Sequence, residues 1–280
     1  MHLVPEPWLS GVTMPRPVLA KASYEGDEAE FYGRALTALT DAGVPFLIGG
    51  AVALNHHTGI WRNTKDLDLM VPPEEVERAL AELERLGCEV EVVDAVWLSK
   101  AHYKEGGLYV DLIHCNSNGT FPVDASFFER AGATRLLGVD VPVMSAEDLL
   151  LSKMFVGSRD RWDGADVLHL LYATKGALDW DTVLARAEPH WELLFSHLVL
   201  FRYAYPQAKG MVPQRVWDTL TSRWGGSLDG HGTPAGAGTH EFRGSLLDPV
   251  SFQVDVEGWG LQEARQRLRA QAPRGGGRYT

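Results

Sequence analysis

Two aspartates one residue apart, Asp66 and Asp68, stand in the run Lys65-Asp66-Leu67-Asp68-Leu69-Met70-Val71, where charged and apolar side chains alternate. On an extended strand this alternation sends both carboxylates to one face and Leu67 and Leu69 to the other. Adjacent carboxylates repel and aspartate is a poor strand former, so neither folding nor solubility accounts for the pair. A divalent cation does, because hard oxygen ligands suit magnesium and the ion neutralises the repulsion. Taken alone, an Asp-x-Asp reads more simply as a strand running into solvent. Two further features argue otherwise. Downstream, Leu108-Tyr109-Val110-Asp111-Leu112-Ile113-His114 again sets one acid in an apolar run. Upstream, the apolar residues 44–48 lead into Gly49-Gly50, followed by a predicted helix over 51–57 whose first amides point back at the turn and suit a phosphate. Three carboxylates on neighbouring strands form a cradle for two metal ions that clamp the attacking and leaving oxygens of an in-line phosphoryl displacement. Asp111 is also the candidate to take a proton from an attacking hydroxyl.

A second constellation lies in residues 153–168, where Lys153, Arg159 and Arg161 share a mostly apolar helical pattern with Asp160, Asp163 and Asp166. Lys153 and one of the two arginines are candidates to meet a triphosphate, where cations offset charge developing on a leaving pyrophosphate. Asp163 and Asp166, three apart, share a helix face. The plainer reading is a surface ladder of ion pairs, each worth well under ~1 kcal/mol. The histidines make no metal motif: His56 and His57 are adjacent and point apart on a helix, and His102, His114 and Cys115 are scattered. No GxSxG elbow, GxxxxGK[ST] loop or GxGxxG turn occurs, which weakens serine-hydrolase, P-loop and Rossmann readings.

The elements that must position these groups follow from periodicity. Phe31, Ala35, Leu36 and Leu39 predict an amphipathic helix over 28–42 ended by Gly43, leading into the 44–48 strand. Pro72-Pro73 ends the Asp66/Asp68 strand, and 74–86 reads as a helix with Val76, Leu80, Leu83 and Leu86 inward and Gly87 as its stop. Residues 88–93 read as a strand, 97–104 as a polar stretch, 116–122 as a loop, 123–131 as a short helix and 133–144 as a hairpin. Ser145 is the expected N-cap of a helical region that continues to about residue 224. The order implies an α/β class: a mixed-sheet catalytic domain at 26–144, preceded by an arm at 1–25 and followed by a helical domain at 145–224. Residues 225–280 are then a Gly-rich linker and a basic tail, with a short strand at 250–256, a helix at 261–270, and five arginines that read first as a solvated tail. Contact of those arginines with RNA phosphates or an acidic partner is the sharper alternative.

The 280 residues are 45% hydrophobic, enough for a sizeable core. A net charge of −11 argues against a broad nucleic-acid-coating surface. Cys88 and Cys115 lack any CxxC pairing and read as buried thiols in a reducing compartment. The proline-broken first twenty residues do not make a signal peptide, and no segment approaches the ~20 apolar residues of a membrane helix. A cytoplasmic protein without a membrane partner is the expectation.

The Gly-Gly turn before a helix, then Arg-Asn-Thr-Lys-Asp-Leu-Asp-Leu at 62–69, then Tyr-Val-Asp-Leu-Ile at 109–113, resembles the small bacterial nucleotidyltransferases of the polymerase-beta superfamily across residues 46–171. Two branches are similar: the lincosamide and aminoglycoside adenylyltransferases, and the AbiEii-type enzymes of abortive-infection and toxin–antitoxin systems. The resemblance implies a mixed-sheet nucleotidyltransferase fold and transfer of an NMP from an NTP such as ATP to a hydroxyl acceptor, with release of pyrophosphate. It implies magnesium as cofactor, two ions in all. Asp66, Asp68 and Asp111 are implied as metal ligands and catalytic residues, and Gly49 and Gly50 as the phosphate cradle. Arg62 and Thr64 match the family's RxTxD element and are implied at the nucleotide, Arg62 on a phosphate or carboxylate and Thr64 bonding the turn. Lys153 is implied as nucleotide-binding and Asp163 as a catalytic or positioning acid, although Trp162 stands where that pattern places a basic residue. The acceptor is left open among a small molecule, an RNA and a protein, and a cognate antitoxin is a candidate partner. The rival is a non-catalytic nucleotide-binding regulatory protein of the same fold.

Overall fold

The computed structural model describes residues 17–62, 64, 66–103, 107–228 and 241–279. Most of the expected N-terminal arm and most of the Gly-rich run lie outside the described residues. Among those described, β1 (Val18–Leu19) pairs antiparallel with β3 (Ile60–Trp61) in a small ribbon. The other strands form one seven-stranded mixed sheet. In chain order these are β2 (Leu47–Ile48), β4 (Asp66–Met70), β5 (Cys88–Asp94), β6 (Leu98–Tyr103), β7 (Leu108–Ile113), β8 (Gly132–Leu136) and β9 (Val139–Val143). Their spatial order is β5-β6-β7-β4-β2-β9-β8. The β4–β7 and β2–β9 pairs are parallel and the rest antiparallel. The α/β class with a mixed sheet is therefore the one read from the pattern of elements.

One face of this sheet is a core face. Leu67, Leu69, Val110 and Leu112 are fully buried there. Two amphipathic helices belong to the same core: α1 (Gly26–Asp41), with Phe31, Tyr32, Ala35, Leu36 and Leu39 buried, and α3 (Val76–Arg85), with Val76, Ala79, Leu80 and Leu83 buried. Each ends at a glycine in the left-handed region, Gly43 at φ 64° and Gly87 at φ 91°, as their sequence suggests. Between them α2 (Gly50–Thr58) leaves the end of β2 and returns the chain to β4.

After the short α4 (Ala125–Glu129) and the β8–β9 hairpin the chain becomes helical. α5 (Ala146–Lys153) is capped by Ser145, whose hydroxyl accepts from the Asp148 amide at 3.1 Å. It is followed by α6 (Gly164–Ala173), α7 (Trp180–Arg186), α8 (Trp191–Ala204) and α9 (Gln214–Leu228). α5 and α6 both pack on α2, so the helix that starts at Gly49-Gly50 is the element shared by sheet and bundle.

Three expectations are corrected. Residues 97–104 are not a polar stretch: 98–103 form β6, with Ser99 and Ala101 fully buried. Small inward residues gave no hydrophobic alternation to read. Residues 250–256 form turns and the short α10 (Gln253–Glu257) instead of a strand, with Val250 and Val254 exposed. The Asp248 carboxylate sets that turn by accepting from the Val250 and Ser251 amides at 3.0 and 3.1 Å. The described C-terminal residues are not a solvated tail either. In α11 (Ala264–Gln271), Arg267 pairs with Glu241 at 2.8 Å and Arg269 with Asp94 at 2.6 Å. Arg278 pairs with Glu77 at 3.0 Å, and the Gly275 amide donates to the Ala95 carbonyl at 3.0 Å. Arg269 and Arg278 answer acids on β5 and α3 that lie far away in sequence, which composition alone does not reveal.

Candidate active site

β4 and β7 run parallel with Asp68 opposite Asp111 and Asp66 opposite Tyr109. This register, together with the alternation in β4, places Asp66, Asp68 and Asp111 on the sheet face turned away from the core. Each offers a carboxylate oxygen within 4.8 Å of the other two. The Gly49-Gly50 turn abuts this cluster: the Gly49 amide donates to the Asp68 carbonyl at 2.9 Å. Gly50 has φ 51°, and a Cβ there would stand 1.7 Å from Asp68 Oδ2. Only glycine satisfies both the backbone angle and the approach, so the turn and the carboxylate are built for each other.

Around the cluster, Tyr24 Oη donates to the Asp66 carbonyl at 3.0 Å, and the Thr64 hydroxyl donates to the Asp66 carboxylate rather than to the turn. Lys100, opposite Asp111 on β6, donates from Nζ to Asp111 Oδ1 at 2.6 Å and lies 4.3 Å from the Tyr109 ring centroid. Sequence reading missed Lys100 because it sits in the stretch not recognised as a strand. Once β6 is known, pairing of a lone lysine opposite a lone aspartate is the signal.

The electrostatics fit a site short of positive charge. Burial, then Asp66 and Asp111, push the Asp68 carboxyl up to about 7, against the opposing pull of Lys153 and Arg161. Burial also raises Asp111, although the Lys100 contact works against it. An all-oxygen donor set that resists its own ionisation is the chemistry of a hard divalent cation site, and the three residues fit magnesium.

The second constellation is tied to the first through Arg62, four residues before Asp66, which bonds Asp166, and the charges of Lys153 and Arg161 work to lower the Asp68 carboxyl. Lys153, its side chain 8% exposed, donates at 2.8 Å to both Asp163 and Asp166. Arg161 grips Asp163 with Nε and Nη2, both at 3.1 Å, and Arg62 donates to Asp166 at 2.6 Å. Asp163 and Asp166 are buried at the start of α6, so the surface-ladder reading is corrected: this is an interior network. Burial works to raise Asp163, but Lys153 and Arg161 outweigh it and hold the carboxyl below its ordinary value. Three cations against two carboxylates leave one positive charge, and of the three Arg161, 71% exposed, is the most open to solvent. Arg62, Thr64, Lys153 and Asp163 thus all lie in or beside the two networks. Arg159 is exposed.

A family described as uncharacterised nucleotidyltransferase matches residues 31–203. No curated protein matches the chain. Among solved structures, the antibiotic-resistance factor ANT(2'')-Ia is similar at 18% identity, over 65% of this chain and 94% of its own, with a TM-score of 0.41. The lincosamide antibiotic adenylyltransferase LnuA is similar at 17% identity, over 53% of this chain and 98% of its own, with a TM-score of 0.38. JHP933 from Helicobacter pylori is similar at 14% identity, over 74% of this chain and 99% of its own, with a TM-score of 0.39.

Proposed function

We infer the reaction from one premise: the chain belongs to the nucleotidyltransferase family whose pattern spans residues 31–203, and it is a transferase of that kind. The finer reading is magnesium-dependent transfer of an NMP from an NTP to a hydroxyl-bearing acceptor, with pyrophosphate released. The observation that carries it is the set of three carboxylates within 4.8 Å at the mouth of a Gly-Gly turn. Asp66, Asp68 and Asp111 would hold magnesium, which when bound supplies charge neutralisation at the phosphates.

The chain's own groups do the remaining work. The α2 amides beyond Gly49 and Gly50 receive phosphate oxygens. Arg161 and Lys153, whose charges favour the ionised Asp68 carboxyl, offset charge on the departing pyrophosphate. The acceptor oxygen attacks the α-phosphorus, the bond to the bridging oxygen of pyrophosphate breaks, and the acceptor proton passes to Asp111. That carboxyl is raised toward a useful basicity by burial. Lys100 orients Asp111 by its 2.6 Å contact. We place this chemistry in residues 26–144 and the supporting helices in 145–224.

The test is incubation of the full chain with each α-labelled NTP and magnesium, offering total RNA, cell-extract protein and a panel of aminoglycosides and lincosamides. Label on one acceptor, lost in Asp68→Asn, is the expected outcome. Magnesium-dependent nucleotide binding without transfer to any acceptor would favour a regulatory nucleotide-binding protein.

A further inference from the structure

The family match ends at residue 203, yet the turn at 244–251 beyond it touches the loop that bears Arg161. Arg161 is carried by a tight loop: Gly157 and Trp162 bridge antiparallel, the Asp163 amide donates to the Val156 carbonyl at 3.0 Å, and Ser158 Oγ accepts from the Arg161 amide at 3.1 Å. This loop joins α5 to α6 and is held from outside by the turn Gly244–Leu246 and the residues after it. Asp248, buried, accepts from the Arg159 amide at 3.1 Å through Oδ2, and its Oδ1 takes the Val250 and Ser251 amides. The opposite side of the same turn reaches the sheet. The Leu246 carbonyl accepts from Asn118 Nδ2 at 3.0 Å, and Asn118 is buried in the turn that directly follows β7, the strand of Asp111.

The C-terminal turn is therefore a strut with one foot on the loop bearing Arg161 and the other on the loop that ends the Asp111 strand. We propose that Asp248 is a positioning residue for nucleotide binding: through its bond to the Arg159 amide it fixes the Arg161 loop at a set distance from the carboxylate cluster. The proposal rests on the nucleotidyltransferase reading, in which Arg161 meets the triphosphate. An untethered loop must be ordered each time a nucleotide binds, and that entropy comes out of affinity. A tethered loop presents Arg161 in advance. The two oxygens of Asp248 serve different masters, which makes the role separable. In Asp248→Asn, Oδ1 retains the local turn while Nδ2 faces the Arg159 amide and cannot accept from it.

The experiment is titration of the full-length protein with ATP, GTP, CTP and UTP, each with magnesium, by calorimetry, and then comparison of variants on the tightest of the four. Asp248→Asn is expected to weaken binding about tenfold, near 1.4 kcal/mol. Amides of 157–163 should exchange hydrogen at least tenfold faster, with those of β4 unchanged. Asp248→Ser, which can still cap the turn but is too short to reach Arg159, should do the same should the asparagine variant fold poorly. Because Asp248 acts through Arg161, the Arg161→Ala variant and the Arg161→Ala, Asp248→Asn double variant should bind equally weakly. Equal binding by wild type and Asp248→Asn, or additive losses in the double variant, overturns the role of Asp248. Wild-type protein that binds none of the four nucleotides overturns the nucleotide reading itself, a separate and recognisable result.

Discussion

At the scale of single residues the site is a balance of negative charges held closer than they would choose. The Asp68 carboxyl is raised from 3.8 to about 7 by burial and by its two neighbours. A carboxylate whose folded value is raised binds more protons folded than unfolded, so the metal-free protein should lose stability as pH rises from about 4 through about 7. Asp111 shifts in the same direction and adds to the slope. Thermal unfolding in EDTA at pH 5 and pH 8 checks this, the higher midpoint being expected at pH 5. Magnesium must displace the same proton, so its affinity should rise with pH up to about 7. Asp68→Asn removes the repulsion together with the ligand. It should raise the metal-free midpoint at pH 8 by a few degrees while abolishing both transfer and the magnesium-dependent thermal shift. Gly50→Ala tests the close approach. A methyl at 1.7 Å from Asp68 Oδ2 on a backbone at φ 51° must displace the carboxylate. Its cost is about 2 kcal/mol of stability, with at least a hundredfold loss of transfer, measurable by denaturant midpoint and initial rate.

Among the elements, α5 and the start of α6 are joined by Lys153 as well as by their apolar packing. Lys153→Met leaves the Asp163 and Asp166 carboxylates buried with only arginines at their edges, and removing one partner of a buried pair costs about 3 kcal/mol or more. Thermal unfolding should show a large drop at neutral pH, partly recovered in acid where the carboxylates protonate. Much of the geometry of this candidate site was legible in the chain. The Asp66/Asp68 alternation, the glycine pair and the acid at Asp111 are local patterns, and local patterns survive in a sequence. The helices α1 and α3, with their glycine stops, were readable for the same reason. What could not be read depends on partners far along the chain. Lys100 has meaning only opposite Asp111, the inward Ser99 and Ala101 only beneath a packed sheet, and the C-terminal arginines only beside Glu77 and Asp94. The interior character of Asp163 and Asp166 was hidden too, because a ladder of charges reads the same on a surface as in a network.

For the molecule as a whole, the described residues after 240 are part of the fold rather than an appendage. Leu246 and Ala264 are buried, and Gly275 and Gly276 lie tight against Val76 and Val92. A chain ended at residue 240 should be less stable by about 3 kcal/mol, from the apolar surface of a few side chains returned to water. Calorimetry of the shortened protein checks this. Among the described residues no helix is long and apolar enough to cross a membrane. The parallel register of Asp68 with Asp111 also governs when the site comes into being. The two strands are neighbours although α3, β5 and β6 separate them in the chain, and β2, which delivers the glycine turn, is closed on its other side by β9. Such distant pairings are late events in folding. A chain still emerging from the ribosome thus carries Asp66 and Asp68 long before Asp111 can join them in the proposed metal site. In refolding, the magnesium-dependent signal should lag behind the recovery of helix, so that the metal becomes a clock for completion of the sheet.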